Sequence, residues 1–259
     1  MKLDLKNMSR EEKIQYLEML EEKERRSKER LGKYRPNEGQ VQVHASTKKI
    51  RLVVSGNGAG KTTLGVHEAM WAATGFNPIS HEHLAVPRRV VVVLDKPDKV
   101  QDKWVPEIKK WFDISKWDLR KNGKPYINQM VGPNGSEIRF MFHEQDELSF
   151  ESIEVDDVLC DEPPPRKIYI ALLRGMRNVD RQARVLIIGT PITGSWLRKE
   201  LYEPWAEGQR PDVDCFRFST SVNSANLPPD YVEWFGAQLS EKERAIRIEG
   251  QFFDLDGLA

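Results

Sequence analysis

A glycine-rich turn between an apolar run and a helical pattern is the feature that most constrains the fold of this chain. Residues 51–55 read Arg-Leu-Val-Val-Ser, a short run typical of a buried strand. The turn ends in Lys61 and Thr62, and an amphipathic stretch then continues to Thr74 and stops at Gly75. A strand, a glycine-rich loop and a helix in this order predict a phosphate-binding loop, or P-loop.

Small residues in such a loop let successive backbone amides converge on phosphate oxygens at the positive end of the helix. We expect Lys61 to bring its charge near the β- and γ-phosphates and Thr62 to bind Mg²⁺. Ser55 replaces the first glycine of the G-x-x-x-x-G-K-[ST] pattern. The alternative is a turn that binds nothing, and the Gly-Lys-Thr junction disfavours it. The predicted nucleotide-binding residues here are Ser55, Gly56, Asn57, Gly58, Ala59, Gly60, Lys61, Thr62 and Thr63.

Apolar runs alternate with helical patterns after this loop. We predict strands over residues 90–94, 155–160 and 185–188, a helix from Pro97 kinked at Pro106, and a helix over 166–173. Residues 126–142 predict a hairpin around the turn 132–135. The alternation indicates an α/β fold with a mainly parallel central sheet flanked by helices.

Two adjacent carboxylates follow the strand predicted over 155–160. Asp161 is predicted to hold the Mg²⁺ shell and Glu162 to polarise the attacking water, with Lys61 as the other catalytic group. The alternative for Glu162 is a carboxylate favoured by the dipole of the helix that follows the prolines 163–165. Together with the P-loop, the acidic pair favours the catalytic interpretation.

Two further polar residues are candidates. Thr190 follows the strand 185–188, where a hydroxyl could sense the γ-phosphate and transmit its loss to moving parts. An ordinary strand-ending turn explains it about as well when taken alone. Gln40 precedes the first strand at a distance that suits a glutamine reading the edge of adenine.

Charge is concentrated at the N-terminus, where 18 of residues 1–33 are charged. Ser9 and Glu12 form a capping box that predicts a helix to about Leu31. The whole chain has 40 basic and 40 acidic residues, which excludes a polybasic nucleic-acid trap. Apolar runs fall far short of the roughly 20 residues that span a bilayer. Two cysteines, Cys160 and Cys215, suit a reducing cytoplasm.

These motifs resemble the ATPase domain of the large terminase subunit, the DNA-packaging motor of tailed bacteriophages. The resemblance extends over residues 34–250 and is carried by segments 34–44, 55–63, 68–69, 150–164, 189–191, 226–228 and 249–252. It implies a P-loop NTPase fold of the ASCE type and ATP hydrolysis coupled to translocation of double-stranded DNA. It also implies Gln40 near adenine, Lys61 and Thr62 on phosphate and Mg²⁺, Asp161 on the metal, Glu162 as the catalytic carboxylate and Thr190 in the coupling motif.

The resemblance further implies partners and an organisation. The expected partners are double-stranded DNA, the portal protein, the small terminase subunit and further copies of the chain. These copies are expected to form a ring, a pentamer on the capsid, whereas the isolated chain is expected to be a monomer. The expected location is the host cell cytoplasm, with no membrane. Residues 1–33 are expected to be a charged helical segment, 34–250 the ATPase domain, and 251–259 the start of a linker to an absent C-terminal nuclease domain.

The sequence departs from this family at its arginines. Some large terminases carry an arginine inside the P-loop, where this chain has Asn57, and some have Arg-Gly before the acidic strand, where it has Glu151 and Ser152. The candidates for an arginine finger are therefore Arg139, Arg174 and Arg177, and the alternative for each is a solvated or structural arginine, which the sequence favours. Two other functions stay open: a helicase-like ATPase that remodels nucleic acid, and an assembly module that binds ATP as a switch.

Overall fold

Eight strands form one sheet in the computed structural model, which describes residues 33–191 and 195–252 together with Lys13. The helix predicted over 9–31 lies outside the described residues except for Lys13, and so do residues 253–259 of the predicted linker. The strands of this sheet are β1 (Ile50–Ser55), β4 (Arg89–Leu94), β5 (Asp118–Arg120), β6 (Gln129–Val131), β7 (Glu137–Phe142), β8 (Asp157–Asp161), β9 (Arg184–Gly189) and β10 (Val213–Phe218). A separate two-stranded ribbon contains β2 (Phe76–Asn77) and β3 (Glu82–His83).

The strand order is β10-β1-β9-β8-β4-β7-β6-β5. The six strands from β10 to β7 are parallel to one another, whereas β6 is antiparallel to both β7 and β5. The predicted mainly parallel sheet and the predicted hairpin are thus confirmed. Because β9 lies between β1 and β8, an additional strand separates the P-loop strand from the acidic strand. This insertion is the topological mark of the ASCE type.

Helices cover both faces of the sheet. Leu64, Trp104 and Ile108 are buried on one face, and Ile168 and Leu172 on the other. The helices are α1 (Glu38–Ala45), α2 (Lys61–Thr74), α3 (Val105–Trp111), α4 (Glu147–Glu151), α5 (Arg166–Gly175), α6 (Ser195–Leu197), α7 (Glu203–Ala206), α8 (Tyr231–Gly236) and α9 (Glu241–Arg247). Two π-helical turns, Val100–Trp104 and Arg198–Tyr202, and a 3₁₀ helix, Thr220–Asn226, complete the described elements.

The segment after Pro97 differs from the predicted kinked helix. A π-helical turn, Val100–Trp104, leads directly into α3, and Pro106 occupies the first turn of α3. A proline has no amide hydrogen to donate, and in the first turn of an α-helix that donor has no intrahelical acceptor. The wider π-helical turn therefore accommodates Pro106 without interrupting the helical segment from Val100 to Trp111.

The acidic strand starts at Asp157 rather than at the predicted residue 155, and this first residue is charged and yet buried. Asp157 accepts from Arg88 Nε at 2.5 Å and from Arg184 Nε at 3.0 Å, and all three side chains are nine-tenths or more buried. Asp157 thus lies between two guanidinium groups at the amino edge of the sheet, and Arg184 also pairs with Glu82 at 2.6 Å. The charge of Asp157 therefore does not exclude this residue from the strand.

Removing that carboxylate should be costly. We expect Asp157→Ala to lower the free energy of unfolding by about 3–5 kcal/mol, because two buried arginines lose their common counter-ion. Asp118→Ala is the matched control, since Asp118 pairs with Arg120 at 2.6 Å on the exposed surface; it should cost less than about 1 kcal/mol. Urea denaturation of both variants measures the difference. Equal losses would contradict the role given to the buried cluster.

Candidate active site

The P-loop joins the end of β1 to the start of α2 and needs glycine at three positions. Gly58 and Gly60 have φ angles of +76° and +87°, a left-handed backbone that side chains disfavour. A Cβ on Gly56 would lie 2.3 Å from the carbonyl oxygen of Ile248. Ser55 is still in the strand and fully buried. An extended strand residue accommodates a Cβ, which explains why serine can replace the first glycine of the motif.

Four successive P-loop carbonyls accept hydrogen bonds from side chains outside the loop. Thr220 Oγ1 donates to the carbonyl of residue 57 at 2.7 Å, and Asn223 Nδ2 to that of residue 58 at 2.6 Å. Asn37 Nδ2 donates to the carbonyl of residue 59 at 3.3 Å, and Gln40 Nε2 to that of residue 60 at 3.0 Å. We call these four side chains the carbonyl cradle. They fix the orientation of each peptide plane in the loop before any ligand binds.

Gln40 therefore has a structural task besides the predicted contact with adenine. Its Oε1 accepts from the backbone amide of Asn37 at 2.9 Å and completes the capping box of α1. Its side chain is almost fully buried beside the P-loop. The adenine contact stays a prediction. Sequence reasoning missed Thr220 and Asn223, because their relation to the loop exists only in the folded chain.

Lys61 begins α2, and its ammonium group lies among oxygen acceptors. Nζ donates to the carbonyl of Gly56 at 2.8 Å and to Thr190 Oγ1 at 3.0 Å. Thr190 Oγ1 in turn donates to Asn57 Oδ1 at 3.2 Å. Burial lowers the pKa of Lys61, and the nearby carboxylates Glu162 and Asp161 oppose that shift. The end of β9 and the P-loop thus share one network through the predicted coupling residue.

Asp161 ends β8 with a buried carboxylate. Trp104 Nε1 donates to its Oδ2 at 2.8 Å, and both residues are at least 95% buried. This indole, supplied by the π-helical turn, fixes the orientation of the carboxylate, as the partners of metal-binding side chains do. Nothing in the sequence pattern singled out Trp104 for this contact, beyond its apolar position on the predicted helix.

Glu162 has a strained backbone. Its φ angle is +91°, which for a residue other than glycine costs on the order of 1–3 kcal/mol. Its backbone amide donates to the carbonyl of Ile188 in β9 at 2.8 Å. A Cβ on Gly189 would lie 3.2 Å from Glu162 Oε2 and 2.4 Å from Pro163 Cδ, so glycine is required there. Burial raises the pKa of Glu162, while the charge of Lys61 opposes the rise.

The residues predicted for Mg²⁺ suit that ion. Thr62 and Asp161 offer hydroxyl and carboxylate oxygens, the ligands that Mg²⁺ prefers, and phosphates and water complete its shell in nucleotide sites. The described residues contain no group of three or more His, Cys, Asp or Glu arranged around one metal position. A shell that takes one hydroxyl and one carboxylate from the protein needs no such group. Thr63, by contrast, donates its hydroxyl to Glu107 at 2.6 Å.

Most of the chain matches one known protein family. Residues 52–258 match the family described as "Terminase large subunit, T4likevirus-type, N-terminal". The chain belongs to the large terminase family. Among curated proteins, none matches. In the described part of this terminase, no helix combines the length and apolar character needed to cross a bilayer.

Solved structures of terminases share the fold. The large terminase of a thermophilic bacteriophage, in complex with ADP, matches with a TM-score of 0.64 and 14% identity, over 84% of this chain and 54% of that one. The ATPase domain of the Thermus phage P74-26 large terminase matches with a TM-score of 0.61 and 18% identity, over 87% and 96%. The first of these two proteins, in complex with ATP-γ-S, gives 0.56 and 15%, over 86% and 57%. The chain thus spans about half the length of that first protein.

Within a single copy of this terminase, the candidate arginine fingers lie away from the P-loop and the acidic pair. Arg174 pairs with Glu151, and Gly175, at the end of α5, accepts from the amide of Val155 ahead of β8. Arg174 and Arg177 are thereby placed near the edge of the sheet opposite Glu162. Arg139 lies within β7, and its guanidinium is 3.8 Å from the carboxylate of Glu137. A role for any of these arginines in a neighbouring subunit stays a prediction.

Proposed function

We propose that this terminase chain is an ATPase motor domain that hydrolyses ATP, with Mg²⁺, to move double-stranded DNA into a capsid. One observation carries the proposal. The Thr190 hydroxyl accepts a hydrogen bond from the Lys61 ammonium at 3.0 Å, and the backbone amide of Glu162 donates to the carbonyl of Ile188, near the end of the strand that Thr190 follows, at 2.8 Å. The phosphate-binding lysine, the candidate base and the strand between them therefore meet at one point. The ADP and ATP-γ-S bound to the large terminase of the thermophilic bacteriophage are consistent with nucleotide binding there.

Each residue then has a role that its surroundings support. The carbonyl cradle orients the P-loop, and Lys61 is the cation that pairs with the β- and γ-phosphates. Thr62 and Asp161 would hold Mg²⁺, which when bound neutralises charge on the phosphates. Glu162 is the base that orients and polarises the lytic water. Its raised pKa lies closer to neutral pH than that of an ordinary glutamate, which makes it a better proton acceptor.

Thr190 is the proposed coupling residue. In the described conformation its hydroxyl is engaged with Lys61 and with Asn57. A γ-phosphate competes for the same ammonium group, so binding and release of phosphate change the hydrogen bonds of Thr190. The residue directly follows β9, the additional strand, and a change there reaches the centre of the sheet. The site can in this way report its nucleotide state to the rest of the domain.

The organisation and partners belong to the same proposal. Residues 34–250 form the motor domain, preceded by the charged segment 1–33 and followed by a linker toward a nuclease domain. Copies of the chain assemble as a ring at the portal with the small terminase subunit, in the host cell cytoplasm. A finger from a neighbouring copy, drawn from Arg139, Arg174 or Arg177, acts in that ring, and Gln40 reads adenine.

Hydrolysis in the presence of DNA tests the proposal. We expect ATP turnover by this chain to rise when linear double-stranded DNA is added, and to rise further when the complete subunit is assembled on portals. Single-stranded DNA serves as the comparison that a helicase-like enzyme would favour. Tight ATP binding with no phosphate release under either condition would instead support an assembly switch.

Thr190→Val should separate hydrolysis from movement. The substitution removes the hydroxyl that bonds Lys61 and Asn57 but keeps the size of the side chain. We expect near-normal ATP binding and a reduced length of DNA packaged per ATP hydrolysed. Thr190→Ser, which retains the hydroxyl, is the matched control and should package like the parent. Equal packaging per ATP in the valine variant and the parent would remove Thr190 from the coupling role.

A further inference from the structure

The site contains a second cation that none of the motifs identified. The charges of two lysines oppose the rise in the pKa of the Glu162 carboxyl. One is Lys61, and the other is Lys99. Lys99 follows β4 and has been given no role so far.

Strand register brings Lys99 to the same edge of the sheet as the acidic pair. β4 lies beside β8 in parallel, with Leu94 opposite Asp161. Asp95 therefore leaves the sheet next to Glu162. Lys99 Nζ is 2.6 Å from Asp95 Oδ1, so the ammonium group is held beside this edge. Its side chain is 22% exposed, which leaves it shielded from solvent but accessible to a ligand.

The backbone that carries Lys99 is fixed to the site. Lys99 immediately precedes the π-helical turn Val100–Trp104, and the indole of Trp104 donates to Asp161 at 2.8 Å. The lysine and the anchor of the metal-binding carboxylate are thus on one short segment. The charge of Lys99 also lowers the pKa of Lys61 and opposes the rise in the pKa of Glu162. Lys99 therefore acts electrostatically on both Lys61 and Glu162.

We propose that Lys99 is a second catalytic cation, supplied by the same chain, that leaves Asp95 to pair with the γ-phosphate during hydrolysis. The inference rests on the proposed ATPase function and deepens it. In the reaction, water oxygen bonds to the γ-phosphorus and gives a proton to Glu162. The bond from that phosphorus to the β–γ bridging oxygen breaks, and its electron pair leaves with ADP. The ammonium of Lys99 keeps its protons and offsets the negative charge on the transferring group.

Lys99→Met removes the charge and keeps most of the side-chain length. We expect the single-turnover rate of ATP hydrolysis to fall about 10²-fold, the loss typical of one electrostatic donor to a transition state. ADP affinity should change less than twofold because ADP has no γ-phosphate, whereas ATP-γ-S affinity should fall severalfold. Lys99→Arg should recover most of the rate. Lys103→Met, an exposed lysine on the same segment, is the matched control.

Two results would refute the role of Lys99 but leave the ATPase proposal standing. One is a parent-like rate in Lys99→Met while Glu162→Gln, measured alongside, is slow. The other is an equal loss of ADP and ATP-γ-S affinity with a lowered melting temperature, which is the signature of a purely structural ion pair with Asp95. No hydrolysis by the parent, with DNA present and the complete subunit assembled, would refute the ATPase proposal and the role of Lys99 with it.

Discussion

Glu162→Gln should bind nucleotide like the parent chain and hydrolyse ATP about 10²–10⁴-fold more slowly, the span that general-base catalysis supplies. Glutamine keeps the size of the side chain and the backbone amide that donates to the carbonyl of Ile188, so the loop that holds the residue at a φ angle of +91° should persist. The negative charge that polarises water is lost. Single-turnover hydrolysis and ADP affinity, measured on the same sample, separate these effects.

The parent's pH dependence provides a second readout for this residue. Burial raises the pKa of Glu162, and protonation removes the base, so the rate should decline with acid at a pH above the ordinary range of a glutamate. That acid limb should disappear from the residual rate of the glutamine variant. If Glu162 only favoured the following helix, the variant would lose about 0.3–1 kcal/mol of stability and keep normal turnover. Normal turnover with a lowered melting point would refute the catalytic assignment.

Lys61→Ala should abolish productive nucleotide binding. The change removes a charge-assisted contact of about 1.5–3 kcal/mol and the main counter-charge of the β- and γ-phosphates. It also releases Thr190 Oγ1 and the carbonyl of Gly56 from their shared donor. ADP titration calorimetry and steady-state turnover measure the loss. Lys103→Ala, a change at an exposed lysine, should behave like the parent; unchanged turnover in Lys61→Ala would contradict the P-loop assignment.

The parts of the fold that the sequence predicted are those with local causes. β1, β4 and β9 are short apolar runs, and the P-loop has a spacing fixed by its own backbone. β10 was missed because Asp214 and Arg217 interrupt its apolar residues, although Val213, Cys215 and Phe218 are buried. Its pairing with β1 supplies the missing stabilisation. β5 is only three residues long and carries no pattern that a sequence could show.

The parts of the site that could be predicted are likewise those that depend on local sequence patterns and on the fold class. Lys61 and Glu162 follow strands and Asp161 ends one, and parallel strands end at one edge, so the proximity of the three residues follows from the fold class. The carbonyl cradle does not follow, since Thr220 and Asn223 reach the P-loop from more than 160 positions away. Gln40 and Lys99 are ordinary polar residues in the sequence. Only the register of β4 against β8 shows that Lys99 lies beside the acidic pair.

Single-turnover hydrolysis of ATP by the unmodified chain, with protein in excess, Mg²⁺ and double-stranded DNA, is the most direct test of the central claim. We predict that one equivalent of phosphate is released per bound ATP, in parallel with ADP formation, and that Lys61→Ala releases none. The claim that this edge of the sheet is an ATP-hydrolysing centre would be contradicted if ATP binds stoichiometrically and is recovered intact, even when the chain is concentrated enough to assemble.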